Sequence, residues 1–167
     1  MLAYVCDLET NGLLHELDRV HSLVLRNAMT GEVISCTNET SRLNTYHSIA
    51  HGLDLLAKAD VVIGHNFINF DARAIAKVYP SFQAKPDSAI HDTLIISRVL
   101  SPEMEMVDDQ KYPHIPPKYR GKHSLAAWGE RLGVEKIKFT ENEKKSKGAD
   151  VNVWDKWSEE MQVYCEQ

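Results

Sequence analysis

The spacing of apolar and polar residues predicts five strands and five helices along this chain. Short apolar, β-branched runs bounded by turn residues indicate strands, and apolar positions three or four apart indicate helices. Strands are expected at residues 1–5, 19–27, 32–37, 61–64 and 89–91. Helices are expected at residues 46–59, 70–79, 93–100, 124–132 and from 158 to the last residue.

The order of these elements predicts an α/β fold. A turn at residues 28–31 joins the second and third strands into a hairpin, so the chain begins with three antiparallel strands. The later strands alternate with helices, and a right-handed crossover places the fourth strand beside the first. We therefore expect a mixed five-stranded sheet, with three antiparallel strands followed by two parallel ones, in a single domain over residues 1–167.

Two stretches lack a regular period. Residues 101–122 contain four prolines and several charges, which predicts a long loop. Residues 140–152 are polar and charged, and they are expected to be poorly ordered. Gly133 follows the helix at 124–132 as a candidate C-terminal cap.

Composition narrows the class of protein. The hydrophobic share of 43% and charged share of 26% are ordinary for a globular domain. No apolar run approaches the roughly 18–20 residues of a membrane span, and the N-terminus lacks the pattern of a signal peptide. Cys6, Cys36 and Cys165 are odd in number and lack C-x-x-C spacing, which favours reduced thiols. These features predict a cytoplasmic protein without a membrane partner.

The formal net charge of −5 argues against a surface that binds nucleic acid non-specifically over its whole area. Local contact with a polyanion stays open, because basic residues are clustered at 118–123 and 144–147.

Asp7 and Glu9 are the first candidates for chemistry. They follow the first apolar run, and side chains two apart on a strand point to one face. Two such carboxylates repel each other unless a cation lies between them, and oxygen ligands suit Mg²⁺ or Mn²⁺. The alternative is a strand that runs into a solvated turn, where acidic residues are common.

Asn66 and Asp71 follow the fourth strand, which is expected beside the first. The Asp71 carboxylate could therefore approach the Asp7 and Glu9 pair. The alternatives are an acidic residue favoured by the helix dipole for Asp71, and an ordinary turn or cap residue for Asn66.

These segments resemble the three motifs of the DEDD exonucleases, the proofreading 3′→5′ exonucleases with a ribonuclease-H-like three-layer fold. The first motif is DLET at residues 7–10, the second is HN at 65–66 followed by Asp71, and the third begins at Tyr164. Three further segments resemble the exonuclease domain of family A DNA polymerases from short-tailed bacteriophages, at residues 91–98, 121–129 and 157–161.

The resemblance implies hydrolysis of the 3′-terminal phosphodiester of DNA by two divalent cations, Mg²⁺ or Mn²⁺, with release of nucleoside 5′-monophosphates. Asp7 would bridge both metals, Glu9 would bind the one that carries the attacking water, and Asp71 would support the second. The Tyr164 hydroxyl would orient the water.

The implied substrate is the single-stranded 3′ end of DNA. The residues expected to bind it are Thr10, Leu13, Asn66, Lys122 and His123. Leu13 would wedge against the terminal base, with plain packing as the alternative. Lys122 and His123 belong to the basic cluster, which could guide the strand through phosphate contacts. A solvated loop is the alternative for that cluster, and an ordinary helix start is the alternative for His123.

The third motif departs from the family pattern of Tyr, three residues and Asp. Tyr164 is followed by three residues and the chain stops, so the fourth carboxylate would be the next residue. We therefore expect an N-terminal fragment of a longer DNA polymerase, cut just before its last metal ligand, with weak metal binding and weak or no hydrolysis. Glu166 is expected to face another side of the helix.

Two other functions stay open at this point. One is a standalone DEDD exonuclease that acts on RNA, and the other is a nuclease-silent scaffold domain. The partners expected under the first hypothesis are single-stranded DNA and a polymerase domain in the same chain. The protein would be a monomer in the cytoplasm of a bacterial host.

Overall fold

The computed structural model describes residues 1–42, 45–84, 88–134, 139 and 152–167. Five strands form one sheet in the order β3-β2-β1-β4-β5. The strands are β1 (Ala3–Thr10), β2 (Val20–Asn27), β3 (Val33–Cys36), β4 (Val61–Gly64) and β5 (Ala89–Asp92). Strands β1, β2 and β3 are antiparallel, whereas β4 is parallel to β1 and β5 is parallel to β4. The predicted mixed sheet is confirmed.

The helices of the described chain are α1 (Ile49–Lys58), α2 (Asp71–Val78), α3 (Thr93–Leu100), α4 (Met104–Lys111), α5 (Leu125–Leu132) and α6 (Glu159–Glu166), with a 3₁₀ turn at Pro117–Tyr119. Side-chain oxygens of four N-cap residues accept backbone N–H groups at helix starts, namely Ser48, Asp92, Ser124 and Ser158. Gly133, with φ at +67°, ends α5 as predicted. Among the described residues, no helix is long and apolar enough to cross a membrane.

Strand β1 separates a core face from a polar face. Tyr4, Cys6 and Leu8 are buried and pack with apolar side chains of β2, α1 and α2. Asp7 and Glu9 alternate with them and therefore point to the other face of the sheet. A strand over residues 1–5 would have ended before both carboxylates. The strand instead continues through Thr10, so Asp7 and Glu9 lie within it.

Helix α6 covers part of that polar face and completes a three-layer arrangement. Its buried Gln162 accepts a hydrogen bond from Ser22 Oγ on β2 at 2.7 Å. The Gln162 amide also donates to Ser35 Oγ on β3 at 2.7 Å. These bonds satisfy a buried polar side chain and fix α6 across the three antiparallel strands.

The prediction of a long loop over residues 101–122 is wrong, because the chain forms α4 there. This helix buries only Met104 and Asp108, so it carries no apolar stripe that a periodicity search would find. Asp108 instead forms a buried two-point ion pair with Arg131 of α5, with N–O distances of 2.7 and 2.9 Å. Residues 140–151 of the stretch expected to be poorly ordered lie outside the described residues.

Candidate functional site

Three ligand-type side chains meet on the polar face of β1. The carboxylate oxygens of Asp7 and Glu9 and the sulfur of Cys165 all lie within 4.8 Å of one another. Cys165 is buried, and its Sγ donates to the Asp7 carbonyl oxygen at 3.6 Å. The sequence pairs Asp7 with Glu9, but it gives no signal for Cys165 beyond its position next to Tyr164 on α6.

Asp71 is the first residue of α2 and only 4% exposed. Burial, and after it the negative charge of Asp7, raises the pKa of Asp71 from 3.8 to about 8. Backbone N–H groups of Asp71 and Leu8 act in the opposite direction and lower it. The structure thus brings Asp71 into the field of Asp7, where a cation would stabilise the ionised form.

The loop between β4 and α2 approaches β1 closely. A Cβ atom built on Gly64 would lie 3.2 Å from the Cys6 carbonyl oxygen and 2.8 Å from the Phe67 Cβ. The space that this glycine leaves allows the loop to pass beside β1. Asn66 follows with φ at +66°, a left-handed conformation that Asn tolerates better than most residues.

Asp92, which is not among the predicted site residues, holds this loop in place. Its buried carboxylate accepts N–H groups of Asn66 and Ile68 at 3.0 Å and also caps α3. Burial would raise the pKa of Asp92, but four backbone donors outweigh burial and lower it. Its signal in the sequence is an N-cap residue between a strand and a helix.

Tyr164 lies on α6 and lines a groove that includes Asp7, which we call the Asp7 groove. Its other lining residues are Leu125, Trp128, Gly129, Leu132, Val134 and Gln167. The Tyr164 ring is 5.5 Å from the ring of Phe139 between centroids. Glu166 on the same helix accepts from Ser35 Oγ on β3 at 2.6 Å, so it is Cys165 that meets Asp7 and Glu9.

Two predicted substrate residues line a second groove, the Leu13 groove. Its lining includes Glu9, Thr10, Leu13, Phe70 and Trp154. Leu13 is 62% exposed, which does not fit plain packing in the core. The Thr10 hydroxyl donates to the Gly12 carbonyl at 2.8 Å and shapes the turn before Leu13.

The third groove, the His123 groove, brings together Asn66 and His123 from distant parts of the chain. Its other lining residues are His65, Leu94, Arg98, Ser124 and Leu125. Leu125 also lines the Asp7 groove, so the two grooves adjoin. Lys122 is exposed next to His123 but does not line this groove.

No family model matches the chain. Its sequence is 26% identical over 174 residues to the DNA-directed DNA polymerase of Escherichia phage T7. It is 27% identical over 182 residues to the same enzyme of Enterobacteria phage T3. Each alignment covers 96% of this chain and 24% of the phage protein, so the chain spans about a quarter of the length of these curated relatives. The chain is similar in sequence to part of these two phage DNA polymerases.

The fold of this chain is similar to that of several solved structures. NrnC of Brucella melitensis superimposes with a TM-score of 0.57 at 18% identity, over 98% of this chain and 65% of that one. A zinc-bound complex of E. coli Exonuclease I with single-stranded DNA gives a TM-score of 0.51 at 15% identity, over 80% of this chain and 35% of that one. These matches confirm the predicted fold.

Proposed function

We propose that this relative of phage polymerases is a 3′→5′ exonuclease domain that hydrolyses the 3′-terminal phosphodiester of DNA and releases nucleoside 5′-monophosphates. The observation that carries the proposal is the proximity of the Asp7 and Glu9 carboxylates on β1, with the buried Asp71 close enough for the charge of Asp7 to raise its pKa. The preference for DNA is supported by the alignments with phage DNA polymerases and by the DNA-bound Exonuclease I structure.

The cofactors we propose are two Mg²⁺ or Mn²⁺ ions, bound by Asp7, Glu9 and Asp71. The chemistry of this donor set fits, since it is rich in carboxylate oxygen, and the raised pKa of Asp71 indicates a carboxylate that needs a cation to ionise. A structure of NrnC with bound Mg²⁺ supports the choice of metal. When bound, the ions supply an activated water and stabilise the leaving oxygen.

The remaining residues bind and orient. The Tyr164 hydroxyl, in the Asp7 groove, would orient the water for attack along the line of the scissile bond. Leu13 and Thr10 would hold the terminal nucleotide in the Leu13 groove. Asn66 and His123 would contact the strand in the His123 groove, and Lys122 beside them would add positive charge.

The test is digestion of a 5′-labelled single-stranded oligodeoxynucleotide with Mn²⁺ or Mg²⁺. We expect slow, metal-dependent shortening from the 3′ end, in line with the weak hydrolysis predicted for this chain, and Asp7→Ala should reduce it to background. Asp54→Ala, which changes an exposed carboxylate on α1, is the matched control and should keep native activity. Equal cleavage by native chain and Asp7→Ala would contradict the proposal.

A second oligonucleotide tests the sugar preference. It carries a single ribonucleotide at the 3′ end and is otherwise identical to the first. We expect slower removal of the ribonucleotide than of the deoxyribonucleotide. Equal or faster removal would favour an RNA exonuclease instead.

We also propose that the domain works beside the polymerase region of a longer protein, and that it is monomeric and located in the cytoplasm of a bacterial host. The support is the alignment of nearly the whole chain with one quarter of each phage polymerase. Light scattering after size-exclusion chromatography tests the monomer, and a dimer at micromolar concentration would contradict it.

A further inference from the structure

A buried serine joins α3 to the start of α5 beside the His123 groove. Ser97 Oγ lies 2.7 Å from His123 Nδ1 and accepts from the Trp128 indole N–H at 3.0 Å. Ser97 is the residue that α3 buries. The same helix leaves apolar side chains exposed, namely Ile95, Ile96, Val99 and Leu100. Burial of a hydroxyl is unfavourable unless it is hydrogen-bonded, so these two bonds help to fix the orientation of α3.

The bonds also select one tautomer of His123. An indole N–H can only donate, so Ser97 Oγ is the acceptor of that bond. The Ser97 hydroxyl hydrogen then needs its own acceptor, and within the described part of the chain this is Nδ1 of His123. Nδ1 must therefore be unprotonated, which places the ring hydrogen on Nε2. The other tautomer would leave a buried hydroxyl hydrogen without an acceptor.

Because Nδ1 faces the buried Ser97, Nε2 lies on the opposite side of the ring, toward the groove that His123 lines. We propose that Ser97 is a positioning residue, which holds His123 so that its Nε2–H donates to a phosphate of the bound DNA strand. This inference rests on the proposed function, and it adds a defined phosphate contact next to the Asp7 groove, which shares Leu125 with the His123 groove.

The charges around His123 fit a neutral donor. Burial, and after it the positive charges of Arg98 and Arg131, lowers the pKa of His123. Arg131 is paired with Asp108, whereas Arg98 is exposed and lines the groove. A phosphate in this groove would thus meet one cation, Arg98, and one neutral N–H, that of His123.

Nuclear magnetic resonance of the chain labelled with ¹⁵N-histidine tests the tautomer directly. We expect the Nε2–H form of His123 at pH 7.5. Ser97→Thr keeps the hydroxyl and should keep this form, whereas Ser97→Ala should give a mixture of both tautomers. An Nδ1–H form in the native chain would overturn the inference.

Binding of a fluorescent single-stranded oligodeoxynucleotide tests the phosphate contact, with Ca²⁺ present to suppress cleavage. His123→Ala should weaken binding about tenfold, because it removes a hydrogen bond to a charged acceptor. Ser97→Ala should weaken it roughly threefold, and Ser97→Thr by less than about twofold. The control is Ser97→Ala combined with Trp128→Phe, because this double variant leaves no indole N–H unpaired. Its affinity for the oligonucleotide should equal that of Ser97→Ala, which excludes a folding defect from the unpaired indole as the cause of weaker binding.

The salt dependence separates a neutral donor from a cation. Arg98→Ala should reduce the slope of log affinity against log salt by about 0.7, the value for one phosphate charge on a single strand. His123→Ala and Ser97→Ala should leave that slope unchanged, since a neutral N–H releases no counterion. A slope lowered by His123→Ala as much as by Arg98→Ala would overturn the inference.

Two further outcomes distinguish this inference from the proposed function. Native affinity in both His123→Ala and Ser97→Ala would overturn the phosphate contact, while metal-dependent cleavage that Asp7→Ala abolishes would still support the exonuclease. A native chain that binds no single-stranded DNA would overturn both.

Discussion

At neutral pH, the proposed divalent cation would compete with a proton for the Asp71 carboxylate. Its pKa of about 8 means that the side chain holds a proton over much of the physiological range. Metal binding must release that proton, so the apparent affinity for Mn²⁺ should increase as the pH rises toward 8. This expected dependence of metal affinity on pH arises from the burial of Asp71 and from its proximity to Asp7.

The first prediction concerns the stability of the chain in EDTA. The pKa of Asp71 is higher in the folded chain than its ordinary value of 3.8, so the folded state binds a proton that the unfolded state releases. The stabilisation is complete below pH 4 and is lost as the pH rises to about 8. Urea unfolding at pH 5 to 8 should show this decline in the native chain and not in Asp71→Asn. If the free energy of unfolding depended on pH in the same way in the native chain and in Asp71→Asn, the prediction would be contradicted.

The second prediction concerns Asp7→Ala. This variant should lose cleavage and lower the pKa of Asp71, because the charge of Asp7 is the second cause of the raised value. Asp7 is exposed, so the free energy of unfolding should change by no more than about 0.5 kcal/mol. Carbon-detected titration of the Asp71 carboxyl measures the shift. A collapse of the fold would instead indicate a structural role for Asp7.

Candidate site residues that belong to a local sequence motif can be predicted from the sequence. Residues that only the tertiary structure brings to the site cannot. Asp7, Glu9 and Asp71 were predicted from strand alternation and from the parallel neighbour of β1. The structure places the Asp7 and Glu9 carboxylates within 4.8 Å of each other, and the charge of Asp7 raises the pKa of Asp71. Asp92 and Cys165 act through backbone groups and packing of distant segments. No local spacing marks such contacts.

At the scale of elements, α4 shows what periodicity cannot predict. Five helices were predicted from the spacing of apolar positions, and all five are present. Helix α4 is held by one carboxylate, since Asp108 pairs with Arg131 and also accepts the Gly121 N–H at 2.9 Å. A polar anchor of this kind has no signature in the hydrophobic pattern.

The third prediction tests this anchor. Asp108→Ala leaves the buried Arg131 charge without its partner, and we expect a loss of about 3–5 kcal/mol in the free energy of unfolding. Asp109→Ala is the matched control, because that neighbouring carboxylate pairs with Arg120 at the surface and should contribute less than about 1 kcal/mol. Urea denaturation of both variants measures the difference, and equal losses would contradict the assignment.

At the scale of the whole molecule, the described chain supplies three carboxylates to the candidate site, and helix α6 shows where a fourth would fit. A residue at position 168 would lie three positions after Cys165 and four after Tyr164, on the helix face that meets Asp7 and Glu9. Continuation of α6 by two residues beyond Glu166 would therefore direct the side chain at position 168 toward the proposed metal ligands.

The fourth prediction follows from this geometry. Adding one Asp after Gln167 should tighten Mn²⁺ binding by about tenfold, because affinity for hard cations increases with the number of charged ligands. Adding Asn at the same place is the matched control, with equal length and no charge. Isothermal calorimetry compares the two chains. Equal affinities would show that position 168 does not reach the site.

Gly64 sets the separation between the carboxylates of β1 and that of Asp71 at the start of α2. Its missing side chain leaves space for the Phe67 ring and the Cys6 carbonyl, and so determines how near the start of α2 lies to β1. A methyl group there would lie 2.8 Å from the Phe67 Cβ and 3.2 Å from the Cys6 carbonyl oxygen, so the loop or β1 would have to move, whereas metal–oxygen distances tolerate only about 0.2 Å. The absence of a side chain at Gly64 thus determines the spacing of the candidate metal site.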